Sequence, residues 1–260
     1  RREPDKLNSN GPLRAVPSRH PASRRSPDVS RWARGTAAWD VLHNADAAFV
    51  EKVNDWLTGD GKLDSGYAVT QHRYRELALD HPVTLAIEQG LMLDEEDLSE
   101  LFQMLPVHTR VAIRDMKADL EVFPQDIGVG ISQVIPIIVG AIWQRSGILA
   151  VEQPELHIHP ALQVALGDLF ASELENNEGI YLLETHSEHL MLRFLRRIRE
   201  TAEDDLPPGA PALKPEQVAV IYVQSTGQGV ELTPLPISEE GEFLQRWPAG
   251  FFEERAEELF

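Results

Sequence analysis

Residues 148–160 read ILAVEQPELHIHP and residues 180–187 read IYLLETHS. Each stretch opens on four consecutive apolar residues and passes at once into a polar cluster that contains acids and histidines. Short apolar runs separated by a helical pattern predict strands joined by crossover helices, hence a parallel sheet buried on both faces. Between the two runs, Pro160 opens a helix with Leu162, Leu166, Leu169 or Phe170, and Leu174 on one stripe. After the second run, Ser187 is placed to cap a helix. That helix turns Leu190, Met191, Phe194, Leu195 and Ile198 inward and Arg193, Arg196, Arg197 and Arg199 largely outward. A third apolar run, 218–223 (VAVIYV), follows an acidic, proline-bearing surface loop over 203–216 and is read as a further strand. The expected fold class is α/β, a mostly parallel sheet flanked by helices, preceded by a smaller mixed α+β segment.

In open parallel sheets, ligands bind at the carboxyl ends of the strands, so both polar clusters fall on the expected rim. The first supplies Glu152, Gln153, Glu155, His157 and His159; the second supplies Glu184, Thr185, His186 and Ser187. A carboxylate there is costly to bury unless a metal ion or hydrogen-bond donors compensate it. Just upstream, residues 126–133 (DIGVGISQ) place Gly128, Gly130 and Ser132 before an apolar helix. Unpaired amides and the helix dipole both favour an anion at such a point. The helix that follows contains the longest apolar run, 134–143 (VIPIIVGAIW), about half of the roughly 20 residues a bilayer span requires. It reads as a buried core helix.

Further toward the amino end, residues 36–57 predict one amphipathic helix, with Val41, Leu42, Ala45, Phe49, Val53, Trp56 and Leu57 at three- and four-residue spacings. Residues 67–126 mix strand-like runs, 84–87 (TLAI) and 111–113 (VAI), with an acidic helix over 94–105. The first 34 residues hold nine Lys/Arg against three Asp/Glu and are rich in Pro, Ser and Arg without apolar periodicity. Four segments are expected: a basic flexible arm or connector (1–35), an accessory α+β segment (36–125), the sheet-bearing lobe (126–232) and a docking tail (233–260). In the tail, Trp247, Phe251 and Phe252 are the apolar anchors. The first residue is Arg1, and the chain reads as a piece of something longer.

Across all 260 residues the net charge is −18, an unfavourable field for holding a polyanion over the whole surface. The chain has no cysteine, which removes disulfides, thiolate metal sites and cysteine nucleophiles and fits a reducing cytoplasm. No membrane association is expected, and no GxSxG nucleophile elbow supports acyl transfer.

Taken together, these motifs resemble the ABC-type ATPases of the SMC, RecF and OLD-like group, on an AAA-labelled P-loop scaffold. DIGVGISQ is similar to their signature loop, ILAVEQPELHIHP to Walker B followed by the D-loop, and LLETHSEHL to the segment with the switch histidine. Residues 10–19 (NGPLRAVPSR) resemble a segment those proteins place after their first lobe. Residues 241–260 (GEFLQRWPAGFFEERAEELF) resemble a C-terminal domain of unknown function found in bacterial predicted ATPases, some linked to phage defence. The resemblance implies ATP and Mg²⁺ as cofactors. Glu152 would hold Mg²⁺ through water, and His186 would contact the γ-phosphate. Gly128, Gly130 and Ser132 would bind the γ-phosphate of a nucleotide held by a partner subunit, and His159 would lie in the D-loop. The implied partners are an N-terminal ATPase lobe, a second copy closing an ATP sandwich, and a nuclease or nucleic acid.

Two departures from that family's pattern matter. Gln153 stands where many such enzymes carry the water-activating glutamate, and an amide cannot accept that proton, leaving Glu155 as the nearby substitute. No GxxxxGK[ST] loop is present; the one Gly-Lys pair, Gly61 and Lys62, is followed by Leu63. The chain therefore reads as the C-terminal part of an ATPase, inactive alone. Two alternatives stand beside this reading. One is a metal-dependent hydrolase using His157, His159, His186 and His189 with Glu152 and Glu155. The other is a non-catalytic interaction module.

Overall fold

The computed structural model describes residues 7–17, 28–90, 94, 99, 102–176, 178–227 and 229–245. In chain order the first elements are β1 (Leu7–Asn10), α1 (Val29–Ala33), α2 (Thr36–Asn44), α3 (Ala47–Thr58), β2 (Tyr67–Arg75) and α4 (Pro82–Glu88). There follow β3 (Val107–Asp115), β4 (Leu120–Val122), α5 (Val129–Trp143), β5 (Ser146–Glu152) and α6 (Pro160–Asn176). The described chain closes with β6 (Glu178–Glu184), α7 (Glu188–Ala202), β7 (Val220–Thr226) and β8 (Gly229–Leu235).

The central sheet has the order β1-β5-β6, all parallel, so the two strands expected from the sequence are neighbours running the same way. Ile148 lies opposite Ile180, Val151 opposite Leu183 and Glu152 opposite Glu184. Successive side chains alternate between faces. Leu149 and Val151 are buried, and Tyr181 and Leu183 pack on the same core. Two helices cover that face: the Tyr181 hydroxyl donates to the Ala141 carbonyl of α5 at 3.1 Å, and its ring meets Phe170 of α6 at 5.3 Å. Residues 132–142 of α5 are buried all round, as the apolar run that begins at Val134 predicts for all but the polar pair Ser132 and Gln133. Helices α2 and α3 pack against it from the other side.

The sheet is covered on one face only among the described residues, which corrects the expectation of burial on both. Ile180 and Leu182 are 61% and 63% exposed, because both flanking helices lie on the Tyr181 face.

Several further expectations are revised. The first segment is not a flexible arm throughout: Leu7–Asn10 pairs with Ile148–Val151. The single helix over 36–57 is two, since Ala45 is extended and the Asp46 carboxylate accepts from the Phe49 amide, starting α3 afresh. Residues 84–87 lie inside α4 rather than in a strand, behind His81, whose ring accepts from the Val83 amide. The 218–223 run contributes β7 to an antiparallel hairpin with β8, not to the parallel sheet. Half of the acidic segment at 94–105 and the tail residues Trp247, Phe251 and Phe252 fall outside the described residues. The accessory segment is α+β, with an antiparallel sheet in the order β2-β3-β4 whose Val69 and Ile113 join the main core.

Candidate functional site at the carboxyl rim of the parallel sheet

The ends of β5 and β6 bring the two polar clusters together. Glu152 and Glu184, the last residues of their strands, are register partners and both exposed. By strand alternation both carboxylates fall on the uncovered face. The Gln153 amide donates to the Glu184 carbonyl at 2.8 Å, so the strands remain tied one residue past their ends. Gln153 has φ 44° and His157 φ 62°, left-handed values that cost a non-glycine residue about 1 kcal/mol or more. Backbone strain of this kind concentrates at functional turns.

Within the turn after β5, the Glu155 carboxylate takes two donors from the turn after β6. The Thr185 hydroxyl reaches one oxygen at 2.8 Å and the His186 amide the other at 2.7 Å. Glu155 is thereby committed to fixing the His186 segment, and the His186 residue itself is exposed. The Ser187 hydroxyl donates to the Gln163 side-chain oxygen at 2.6 Å and accepts from the Leu190 amide at 3.1 Å, capping α7 as expected. Gln163 in turn donates to the Ile158 carbonyl. His159 starts α6: its Nδ1 accepts from the Ala161 amide and its carbonyl from the Leu162 amide.

The glycine segment reaches the same rim. Gly128 precedes α5, while Gly130 and Ser132 already belong to its opening turns. A Cβ on Gly130 would stand 2.8 Å from the His157 carbonyl oxygen, so this contact between segments requires glycine, whereas one on Gly128 would meet open space. Ser132 is buried, and its hydroxyl donates to the Val129 carbonyl at 2.8 Å.

Among the described residues, no three His, Asp or Glu side chains converge on a point that could hold a metal. His157, His159, His186 and His189 with Glu152 and Glu155 therefore do not form the ligand set of the hydrolase alternative. Glu152 and Glu184 end neighbouring strands as register partners, and carboxylate oxygens are the donor type that Mg²⁺ takes alongside water.

Sequence reasoning missed Arg14. It follows β1, is 2% exposed, and its Nη2 donates to the Glu152 carbonyl at 2.7 Å. Burial lowers its pKa to about 10, with Glu155 and Glu152 pulling the other way. Gln133 was also missed: its side chain accepts from the Arg14 amide at 2.8 Å and donates to the Arg14 carbonyl at 2.7 Å. Both residues lie in segments that the resemblance marks, 10–19 and 126–133, but their pairing is not legible there, because their partners lie more than 100 positions away in the sequence.

The chain is similar to known protein families over two stretches. The family described as AAA domain, putative AbiEii toxin, Type IV TA system matches residues 8–192. The family described as protein of unknown function DUF3696 matches residues 213–260. A search of curated proteins gave no match. Among solved structures, an SMC head bound to the C-winged helix domain of ScpA is similar at TM-score 0.44 and 9% identity, over 74% of this chain and 43% of that one. A structure from work on ATP-driven dimerization of SMC ATPases is similar at TM-score 0.42 and 10% identity, over 82% of this chain and 91% of that one. The SMC head domain from Pyrococcus yayanosii, with coiled coil and joint, is similar at TM-score 0.41 and 9% identity, over 82% of this chain and 30% of that one. The chain thus spans less than half the length of the first of these. No helix among the described residues is long and apolar enough to cross a membrane. With the AAA match running from β1 into the first turn of α7 and the DUF3696 match covering residues 213–260, the chain belongs to the AAA-domain family of P-loop ATPases described as putative AbiEii toxin, Type IV TA system.

Proposed function

We propose that this chain is the C-terminal lobe of an ATPase that clasps ATP between two heads and uses closure and reopening to drive a partner. The observation that carries the reading is the meeting of three segments at one rim: Gly130 against the His157 carbonyl, Glu152 beside Glu184, and the His186 segment held by Glu155. Glu152 would hold Mg²⁺ through water, which neutralises phosphate charge when bound. The exposed His186 would face the terminal phosphate. Gly128, Gly130 and the opening amides of α5 would receive the terminal phosphate of a nucleotide gripped by the partner subunit, with the D-loop His159 at the seam between the heads. Ser132 would take part only after releasing Val129.

Phosphoryl transfer needs little covalent help from the protein, and positioning with electrostatic stabilisation supplies most of the catalysis. Gln153 cannot act as general base. Glu155 is engaged by two donors, so hydrolysis in the assembled enzyme is expected to be slow. The phosphate-cradling loop has to come from a lobe outside this sequence. The exposed Ile180 and Leu182, on a parallel sheet that would ordinarily be covered on both faces, support docking of that lobe there. The family description names a putative toxin of a toxin–antitoxin system, which supports a defence-related role; a cytoplasmic setting, with a nuclease or a nucleic acid as the driven component, completes the proposal.

The test is reconstitution. Alone, the chain should show negligible ATP turnover. Mixed with a lobe that carries the missing loop, it should bind ATP and hydrolyse it with Mg²⁺. Glu152→Gln and His186→Ala should each lower turnover by about 100-fold or more, the scale of losing one stabilising group. Robust metal-dependent hydrolysis by the chain alone, or unchanged turnover in both variants, would refute the assignment.

A further inference from the structure

Arg14 is the most completely enclosed cation near the rim, and it is poorly compensated. Its Nη2 holds the Glu152 carbonyl, while Nε and Nη1 have no hydrogen-bond partner among the described residues. Burying a guanidinium without satisfying its donors is costly, and such groups persist where the arrangement serves a purpose. The surroundings close tightly over it. Gly35, at φ 76°, turns directly above, and a Cβ there would stand 2.7 Å from the Arg14 Cβ. The Ala15 amide donates to the Arg34 carbonyl at 2.7 Å, pinning the same turn.

Two separate links leave this one residue. Its main chain is bracketed by the Gln133 side chain on the first part of α5, at 2.8 and 2.7 Å. Its side chain grips the last carbonyl of β5, one residue before the left-handed corner at Gln153. The glycine-led start of α5 and the Glu152 corner are thus joined through a single residue, over and above the contact of Gly130 with His157.

We propose that Arg14 is a positioning residue: it sets the Glu152–Gln153 corner and couples that corner mechanically to the start of α5. Displacement of either segment is then transmitted to the other through a buried residue whose main chain is tied to α5 and whose side chain is tied to β5. The consequence for phosphate and Mg²⁺ rests on the function proposed above; the coupling does not. Its test is accordingly made without nucleotide, so failure of the ATPase reading leaves it intact and the reverse also holds.

The experiment is residue-resolved amide hydrogen exchange on wild type, Arg14→Lys and Gln133→Leu, each first checked for cooperative unfolding. Arg14→Lys keeps the positive charge and loses the forked geometry; Gln133→Leu cuts the main-chain bracket and leaves the side chain in place. In both variants, exchange of the Gln153 amide, which bonds the Glu184 carbonyl, should rise at least tenfold. The Ser132 amide, which bonds the Gly128 carbonyl, should rise with it, while Val111 in β3 stays unchanged. A merely structural role would raise exchange everywhere in proportion to lost stability. If Gln153 and Ser132 keep wild-type rates, respond separately, or change only as Val111 does, the proposal is overturned. Should Arg14→Lys fail to fold, Gln133→Leu alone decides, because Gln153 lies on the far side of Arg14 from the substitution.

Discussion

Gly128 and Gly130 stand two residues apart at the start of α5 and are held for different reasons. A methyl at 130 meets the backbone carbonyl of His157 at 2.8 Å, and backbone cannot step aside as a flexible side chain can. Gly130→Ala should destabilise the protein by about 1–3 kcal/mol, the usual range for overpacking, despite alanine's better helix propensity. Gly128→Ala, with open space around it, should change stability by less than about 0.5 kcal/mol. Urea unfolding of the two variants checks the contrast; equal effects would mean that the contact with the His157 turn carries no energy. The two glycines are equivalent in the sequence motif, and only the approach of a turn almost thirty residues later separates them.

At the scale of elements, α6 and α7 are joined by a buried ionic network where the sequence suggested a solvated arginine face. Arg197 is 5% exposed and spends Nε and Nη2 on Asp168 at 2.7 and 2.8 Å, and Nη1 on Glu200. Arg196 also pairs with Glu200, and Arg193 lies 3.4 Å from Asp168. Gly167 allows this proximity, since a Cβ there would press on Arg193 at 2.7 Å. Removing one partner of a buried pair leaves an uncompensated charge, so Arg197→Ala should cost about 3–5 kcal/mol. Arg193→Ala should cost less, because Asp168 retains its two-donor partner. Thermal or urea unfolding measures both.

The same network sets a pH dependence. Burial pushes the Glu200 carboxyl up, but hydrogen bonds from Arg196 and Arg197 outweigh it and leave the group below its ordinary value of 4.5. A depressed folded value means that the unfolded chain binds the proton first as pH falls. The stabilisation is therefore full above about 4.5 and is lost as pH falls through the lower folded value. In Glu200→Gln, unfolding free energy measured between about pH 5 and pH 3 should fall less steeply than in wild type. An unchanged slope would show that Glu200 keeps the same affinity for its proton on unfolding.

At the scale of the molecule, the decisive feature is a parallel sheet that, among the described residues, is dressed on one side. Ile180 and Leu182 on that open face are over 60% exposed, while Leu149 and Val151 on the other face are fully enclosed. Exposed contiguous apolar surface marks an interaction site or a route to aggregation. Ile180→Lys with Leu182→Glu should therefore leave stability within about 1 kcal/mol while lowering dye binding and self-association of the isolated chain. Light scattering and hydrophobic-dye fluorescence read this directly. The same double variant should fail to recruit a complementing lobe, and recruitment at wild-type affinity would place the docking surface elsewhere.

The apolar runs at 148–151 and 180–183, with a helical pattern between them, determined by themselves that two neighbouring parallel strands exist, because a crossover helix returns the chain to run beside the first strand in the same direction. The caps at Asp46 and Ser187 are equally local, each being a side chain that accepts from an amide three residues on, although the apolar spacing over 36–57 runs straight through Asp46. Only the tertiary structure decided that four residues near the amino end complete the sheet, that 218–223 turns back into a hairpin, and that Arg14 and Gln133 belong to the rim. Those outcomes depend on partners more than a hundred residues away or on competition between pairings, and hydrophobic periodicity carries no information about either.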